Sequence, residues 1–167
     1  MLYSITKETL DNEIDRLCDL FSQGYVEQVL NQSTELLKTF PDSVALNIIK
    51  GDASTKLHKF NAAITSYRNA IKLKPDFAIS HFNLGVALQD KGDFETALHS
   101  YKKAIAIKPD YLAAYYNIAV SFGKIGFLEN SVKYFLETIR RDPYHYPSWN
   151  NLLFPLHILK NKNSNFL

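Results

Sequence analysis

The sequence holds one cysteine, Cys18. That excludes an intrachain disulfide framework and a zinc site built on paired cysteines. No apolar run is long enough to cross a bilayer. The opening MLYSITKETLDNEIDRL lacks the basic segment and apolar core of a secretory leader. No block of one charge occurs: 19 lysines and arginines face 17 aspartates and glutamates, and the longest basic runs are the pairs Lys102-Lys103 and Arg140-Arg141. A nucleic-acid surface would gather basic residues on one face, so these scattered charges read as solvated surface. The six glycines are isolated, which excludes a phosphate-cradling loop. Histidines stand at 58, 81, 99, 145 and 157, with no two at the helical spacing a metal pair needs. No paired carboxylates mark an acid–base site. These absences predict a cytoplasmic protein with no catalytic residues, metal or cofactor, and with neither nucleic acid nor membrane as a partner.

What is present is a period. Stepping by 34 from Pro41 meets Pro75, Pro109 and Pro143. The same step links Gly51, Gly85 and Ala119; Phe60, Phe94 and Leu128; Ala63, Ala97 and Ser131; Tyr67, Tyr101 and Phe135; and Ala70, Ala104 and Thr138. A recurrence of this length marks a stacked-repeat architecture. The third copy reads as two helices. PDFAISHFNLGVALQDKG opens on Pro75-Asp76, a start signal, and closes on Gly92, which suits a left-handed C-terminal residue. DFETALHSYKKAIAIKP starts at Asp93 and must end before Pro109. Within it Phe94, Ala97, Leu98, Tyr101, Ala104 and Ile105 fall three or four apart and form one apolar face. Gly85, Ala97 and Ala104 let two helix axes approach closely, because a large side chain would hold them apart.

Leu84-Gly85, Gly92, Phe94, Ala97, Tyr101, Ala104 and Pro109 resemble the signature of the tetratricopeptide repeat, over about residues 10 to 160. The resemblance implies an all-α fold: a right-handed superhelical stack of antiparallel helix pairs in a single domain. Four repeats fall at about 10–41, 42–75, 76–109 and 110–143, and a terminal closing helix at about 144–160. It also implies a protein–protein interaction module, a scaffold or adaptor that takes a peptide or protein segment in a concave groove lined by first helices. Carried onto this sequence, the groove set is Ile48, Ile49 and Asp52, with Lys56; Ile79, Phe82, Asn83 and Val86, with Gln89 and Asp90; Tyr116, Asn117 and Val120, with Ala113 and Lys124; and Asn151, with Asn150 and Phe154.

Asn83, Asn117 and Asn151 repeat at the 34-residue step. An amide both donates and accepts, so such a ladder could pair with an extended peptide backbone. It resembles the ladders of the repeat arm of O-GlcNAc transferase. The plainer reading is that asparagine is simply common at this place in the family. The family's basic clamp for chaperone C-termini is not expected, since Lys56 and Lys124 do not complete it.

The C-terminal stretch WNNLLFPLHILK is expected to lay Trp149, Leu152, Leu153 and Leu156 on the fourth repeat and to kink or end near Asn151, because Pro155 lacks an amide donor. Phe154, Ile158 and Leu159 are then left as a contact surface, for a second copy of the chain or for a further domain. The segment resembles the junction after the repeats in bacterial proteins fused to a sulfotransferase or glycosyltransferase. The alternative function is therefore a substrate-presenting arm whose catalytic domain lies elsewhere.

Overall fold

The computed structural model describes residues 7–164. The described residues are helices and short turns, without a strand. The helices are α1 Lys7–Ser22, α2 Val26–Thr39, α3 Val44–Lys56, α4 Phe60–Leu73, α5 Ala78–Lys91, α6 Phe94–Ile107, α7 Leu112–Lys124, α8 Leu128–Arg141 and α9 Tyr146–Ser164. The odd-numbered helices from α3 on begin at 44, 78, 112 and 146, and the even-numbered ones at 26, 60, 94 and 128, so both series keep the 34-residue step. The helices fall into two compact units, Met1–Asp76 and Phe77–Leu167.

Local chemistry sets the boundaries. Asp93 Oδ1 accepts from the Thr96 amide at 3.2 Å and caps α6. Gly92, at φ 92°, ends α5 in the left-handed region. Turn positions 24, 58, 92 and 126 all have positive φ; three are glycine, and the fourth is His58 at 56°. Ser43 caps α3 by accepting from the Leu46 amide. Asp76 does not cap α5: that helix starts after Phe77, with no side-chain cap, one residue too late for a carboxylate at 76 to take the N-cap position.

In the first unit Leu17, Val29, Leu46 and Ala53 are fully buried, and Leu36, Leu37 and Ile49 are among the residues that pack against this core. α3 and α4 meet at Gly51, where an added Cβ would lie 2.5 Å from the Tyr67 ring. In the second unit α5 and α6 meet the same way: a Cβ on Gly85 would lie 2.5 Å from the Tyr101 ring. Ala97 and Ala104 beside it are fully buried, the close approach the small residues predict. The α7–α8 contact differs, because Ala119 takes the glycine position and Ser131 Oγ donates to the Ala119 carbonyl at 2.8 Å.

α9 runs on through Pro155, so the helix does not end near Asn151 as its proline predicts. Proline keeps a helix-compatible φ, and Pro155 is buried at the register of Ala53, Ala87 and Ser121. Of the four residues expected on the fourth repeat, Leu152 is buried with Ala119, Phe135 and Ile139. Trp149, Leu153 and Leu156 remain exposed.

Candidate functional site

The groove residues fall in both units. On α3, Ile48, Ile49 and Asp52 are half-buried and Lys56 is exposed. The Asp52 carboxylate accepts from Tyr67 Oη at 2.6 Å, and the same hydroxyl lies 3.3 Å from Thr55 Oγ1. Asp52 thus holds the tyrosine that fills the Gly51 contact.

In the second unit, α5 presents Ile79 exposed and Phe82, Asn83 and Val86 half-buried. The Phe82 ring centroid is 4.8 Å from Tyr111 and 5.7 Å from Tyr101. Gln89 is committed to packing: its Oε1 accepts from Tyr101 Oη at 3.3 Å and from Ser121 Oγ at 3.0 Å, tying α5 to α6 and α7. Burial, then the nearby Asp90 carboxylate, push the Tyr101 hydroxyl above its ordinary value, and a hydrogen bond from Asn117 opposes them.

Further groove residues converge from α7, α8 and α9. Tyr116, Val120, Gly123 and Lys124 of α7, Leu128, Ser131 and Phe135 of α8, and Asn150, Asn151, Phe154 and Pro155 of α9 line a cleft of about 460 Å³. Helical spacing explains the α7 wall, since Tyr116, Val120, Gly123 and Lys124 lie three or four apart on one face. The wall is held from behind. Tyr116 stands 5.9 Å from Phe135 and 5.1 Å from the His145 ring, and Asn151 Nδ2 donates to its hydroxyl at 2.8 Å. His145 precedes α9, and its Nδ1 accepts from the Ser148 amide at 3.3 Å, so the residue whose ring packs at a tilt against Tyr116 also caps α9.

The cleft is apolar within and polar at its edge. Lys124 is the only charged side chain among its lining residues. Arg141 is engaged elsewhere: its guanidinium lies 3.8 Å from the Tyr115 ring centroid, donates to the Tyr115 hydroxyl at 2.9 Å and pairs with Glu137.

Sequence reasoning names Tyr116, Val120, Asn151 and Phe154, and the structure brings all four into this cleft. It misses the α8 wall of Leu128, Ser131 and Phe135, because the resemblance implies a groove lined by first helices alone. The 34-residue step does mark Phe135 as the successor of Tyr67 and Tyr101, but only as a packing residue. Two members of the asparagine series have partners inside the unit, Asn117 with Tyr101 and Asn151 with Tyr116. Phe154 is exposed, whereas Ile158 and Leu159 are half-buried. Among the described residues no group of three or more His, Cys, Asp or Glu is placed to hold a metal. No helix among them is long and apolar enough to cross a membrane.

The family model for the TPR repeat matches residues 51–92 and 88–126, so this stretch carries tetratricopeptide repeats. A comparison with curated protein sequences gives no match. Among solved structures, MamA from residue 41 onward, of Desulfovibrio magneticus RS-1, is similar at a TM-score of 0.81 and 18% identity, over 90% of this chain and 85% of that one. The first TPR of Spaghetti, bound to the HSP90 peptide SRMEEVD, is similar at 0.68 and 20%, over 70% and 93%. O-GlcNAc transferase of Thermobaculum terrenum is similar at 0.77 and 22%, over 84% of this chain but 27% of that one. At these identities the likeness is one of fold.

Proposed function

We propose that this chain of TPR repeats binds a segment of another protein, without catalysis, and that the cleft between α7, α8 and α9 is the seat of that binding. The observation that carries the reading is the convergence of Tyr116, Val120, Phe135 and Phe154 on one open, mainly apolar cleft with amides at its edge. A concave site of a few hundred Å³ with a few polar groups is the usual form of a recognition site. Burial of an apolar side chain of the partner supplies the affinity, and Asn150 at the rim offers an amide to its backbone. The HSP90 peptide seated on the Spaghetti TPR gives this reading a precedent in the fold.

The amides of Asn117 and Asn151 already bond to tyrosine hydroxyls. A ladder of amides waiting for a peptide backbone, and with it the substrate-presenting arm of a transferase, therefore has less support than side-chain burial. With one charged residue in the cleft lining, affinity should depend weakly on salt.

A library of random linear peptides panned against the full chain tests the proposal. Enriched peptides should carry a large apolar residue and should lose at least about tenfold in affinity to Val120→Glu, which places a charge in the cleft. Peptides that bind Val120→Glu as well as the wild type would refute it. So would affinity that collapses between low and moderate salt.

A further inference from the structure

One stripe of α9 stands where α3, α5 and α7 are covered by their own second helices. On α7 that stripe is Tyr115, Ala119 and Phe122, all buried. α8 covers it, with the Tyr134 ring 6.3 Å from Tyr115 and 5.7 Å from Phe122. Thirty-four residues on, the same stripe of α9 is Trp149, Leu153 and Leu156, exposed by 47%, 68% and 42%. Tyr146, 70% exposed, extends it by one turn. The stripe runs directly into buried core, because Leu152 beside it packs with Ala119, Phe135 and Ile139.

We propose that a second copy of this chain covers the stripe, with α9 packed antiparallel on its partner's α9 about a two-fold axis near Leu153. The spacing is self-complementary. Tyr146, Trp149, Leu153 and Leu156 follow one another at steps of three, four and three, the seam of paired helices. Antiparallel pairing sets Trp149 of each copy near Leu156 of the other, with the two Leu153 side chains at the centre. From Tyr146 to Leu159 the helix carries no Asp, Glu, Lys or Arg, so two identical seams meet without like-charge repulsion.

The glycine–tyrosine contact of the earlier repeats is closed to this helix. Gly51 and Gly85 leave no room for even a Cβ beside the tyrosine of the covering helix. Leu153 occupies that register, where α7 packs the smaller Ala119 against Phe135, so a covering helix could not approach α9 as closely as it approaches the others. A leucine seam at ordinary interhelical distance, about 8–10 Å, fits instead. A two-fold dimer is also the commonest closed assembly and needs a single self-complementary patch.

Sedimentation equilibrium of the full chain between roughly 1 and 100 µM tests this. The wild type should be dimeric at the upper end. Leu153→Glu should raise the dissociation constant at least about tenfold with helix content unchanged. Phe154→Ser, on the cleft side of the same helix, should leave the dimer intact. A wild type that stays monomeric throughout overturns the proposal, as does a Leu153→Glu dimer of unchanged strength or a dimer dispersed by Phe154→Ser. Should Leu153→Glu misfold, a Cys18→Ser background carrying Leu153→Cys decides the matter. Mild oxidation should bridge two chains there and not at Leu136→Cys on the exposed side of α8, and failure to bridge at 153 overturns the proposal.

Discussion

The Gly51–Tyr67 contact of the first unit and the Gly85–Tyr101 contact of the second are alike in shape and unlike in chemistry. In each, the missing Cβ admits the face of a tyrosine at 2.5 Å from where that atom would sit. In the first unit the hydroxyl is anchored to a carboxylate at 2.6 Å. In the second it meets an amide oxygen at 3.3 Å, and that oxygen is shared with Ser121. The α7–α8 contact drops the hydroxyl altogether: Phe135 follows Tyr101, Ala119 follows Gly85, and Ser131 secures the Ala119 carbonyl. The period therefore constrains the volume between two helices and leaves the polar partner free to drift, because packing density is a stricter condition than the identity of one hydrogen bond.

The largest expected effect comes from breaking the shared shape. Gly85→Ala should destabilise the chain by about 1–3 kcal/mol, because the overlap with the Tyr101 ring outweighs the gain in helix propensity. Its counterpart Ala119→Gly should cost about 1 kcal/mol through propensity, plus the packing of a fully buried methyl group. Urea unfolding of the two variants measures both, and a Gly85→Ala variant as stable as the wild type, or more so, would show that the glycine contact is not close. The chemical difference is tested by removing the hydroxyls. Tyr67→Phe should cost about 1.5 kcal/mol, since it strips a charge-assisted bond, and Tyr101→Phe about 0.5 kcal/mol. Differential scanning calorimetry should rank their Tm values in that order.

The turns sharpen the comparison further. His58 adopts at φ 56° what Gly24, Gly92 and Gly126 adopt at 87–92°. A side chain in that region costs about 1 kcal/mol, so His58→Gly should raise the urea midpoint. The loss of its edge contact with Phe60, centroids 5.7 Å apart, reduces the gain. The smallest effect is on pH. Tyr101 has its hydroxyl raised when folded, so the folded chain keeps a proton that the unfolded chain gives up. That contribution is fully present below the ordinary tyrosine value near 10 and is lost as pH rises towards the higher folded value. The loss sets in near pH 10 and grows from there, and Tyr101→Phe should remove it.

Much of this was legible because a period is a collective signal. The turn at Gly92, the Asp93 cap and the small residues at Ala97 and Ala104 each follow from a rule of local chemistry, and the 34-residue step ties them to their counterparts. The misreadings lie where one residue was asked to decide. Pro155 predicts a break, yet the helix continues because the residue is buried in a register that accepts small side chains. Asn151 does lie in the cleft lining, but the tyrosine partners of Asn117 and Asn151 lie 16 and 35 residues back along the chain, beyond any local rule. The α8 wall of the cleft escaped because a residue with a packing role was not also read as a lining residue. Hydrophobicity alone places Leu153 and Leu156 on the fourth repeat, and it does not say which side of a helix is covered.

Because α9 forms one wall of the cleft, the cleft is assembled rather than carved. Asn150, Asn151, Phe154 and Pro155 belong to it only while α9 lies against α7 and α8, with Leu152 seated and His145 capping its first turn. The apparent affinity of any occupant is then its intrinsic affinity scaled by the fraction of molecules in which α9 is docked. By the same linkage an occupant, or a second copy gripping the outer stripe, holds that helix down. Protection of the α9 amides against hydrogen exchange is therefore a readout of binding for residues that need not touch the ligand themselves.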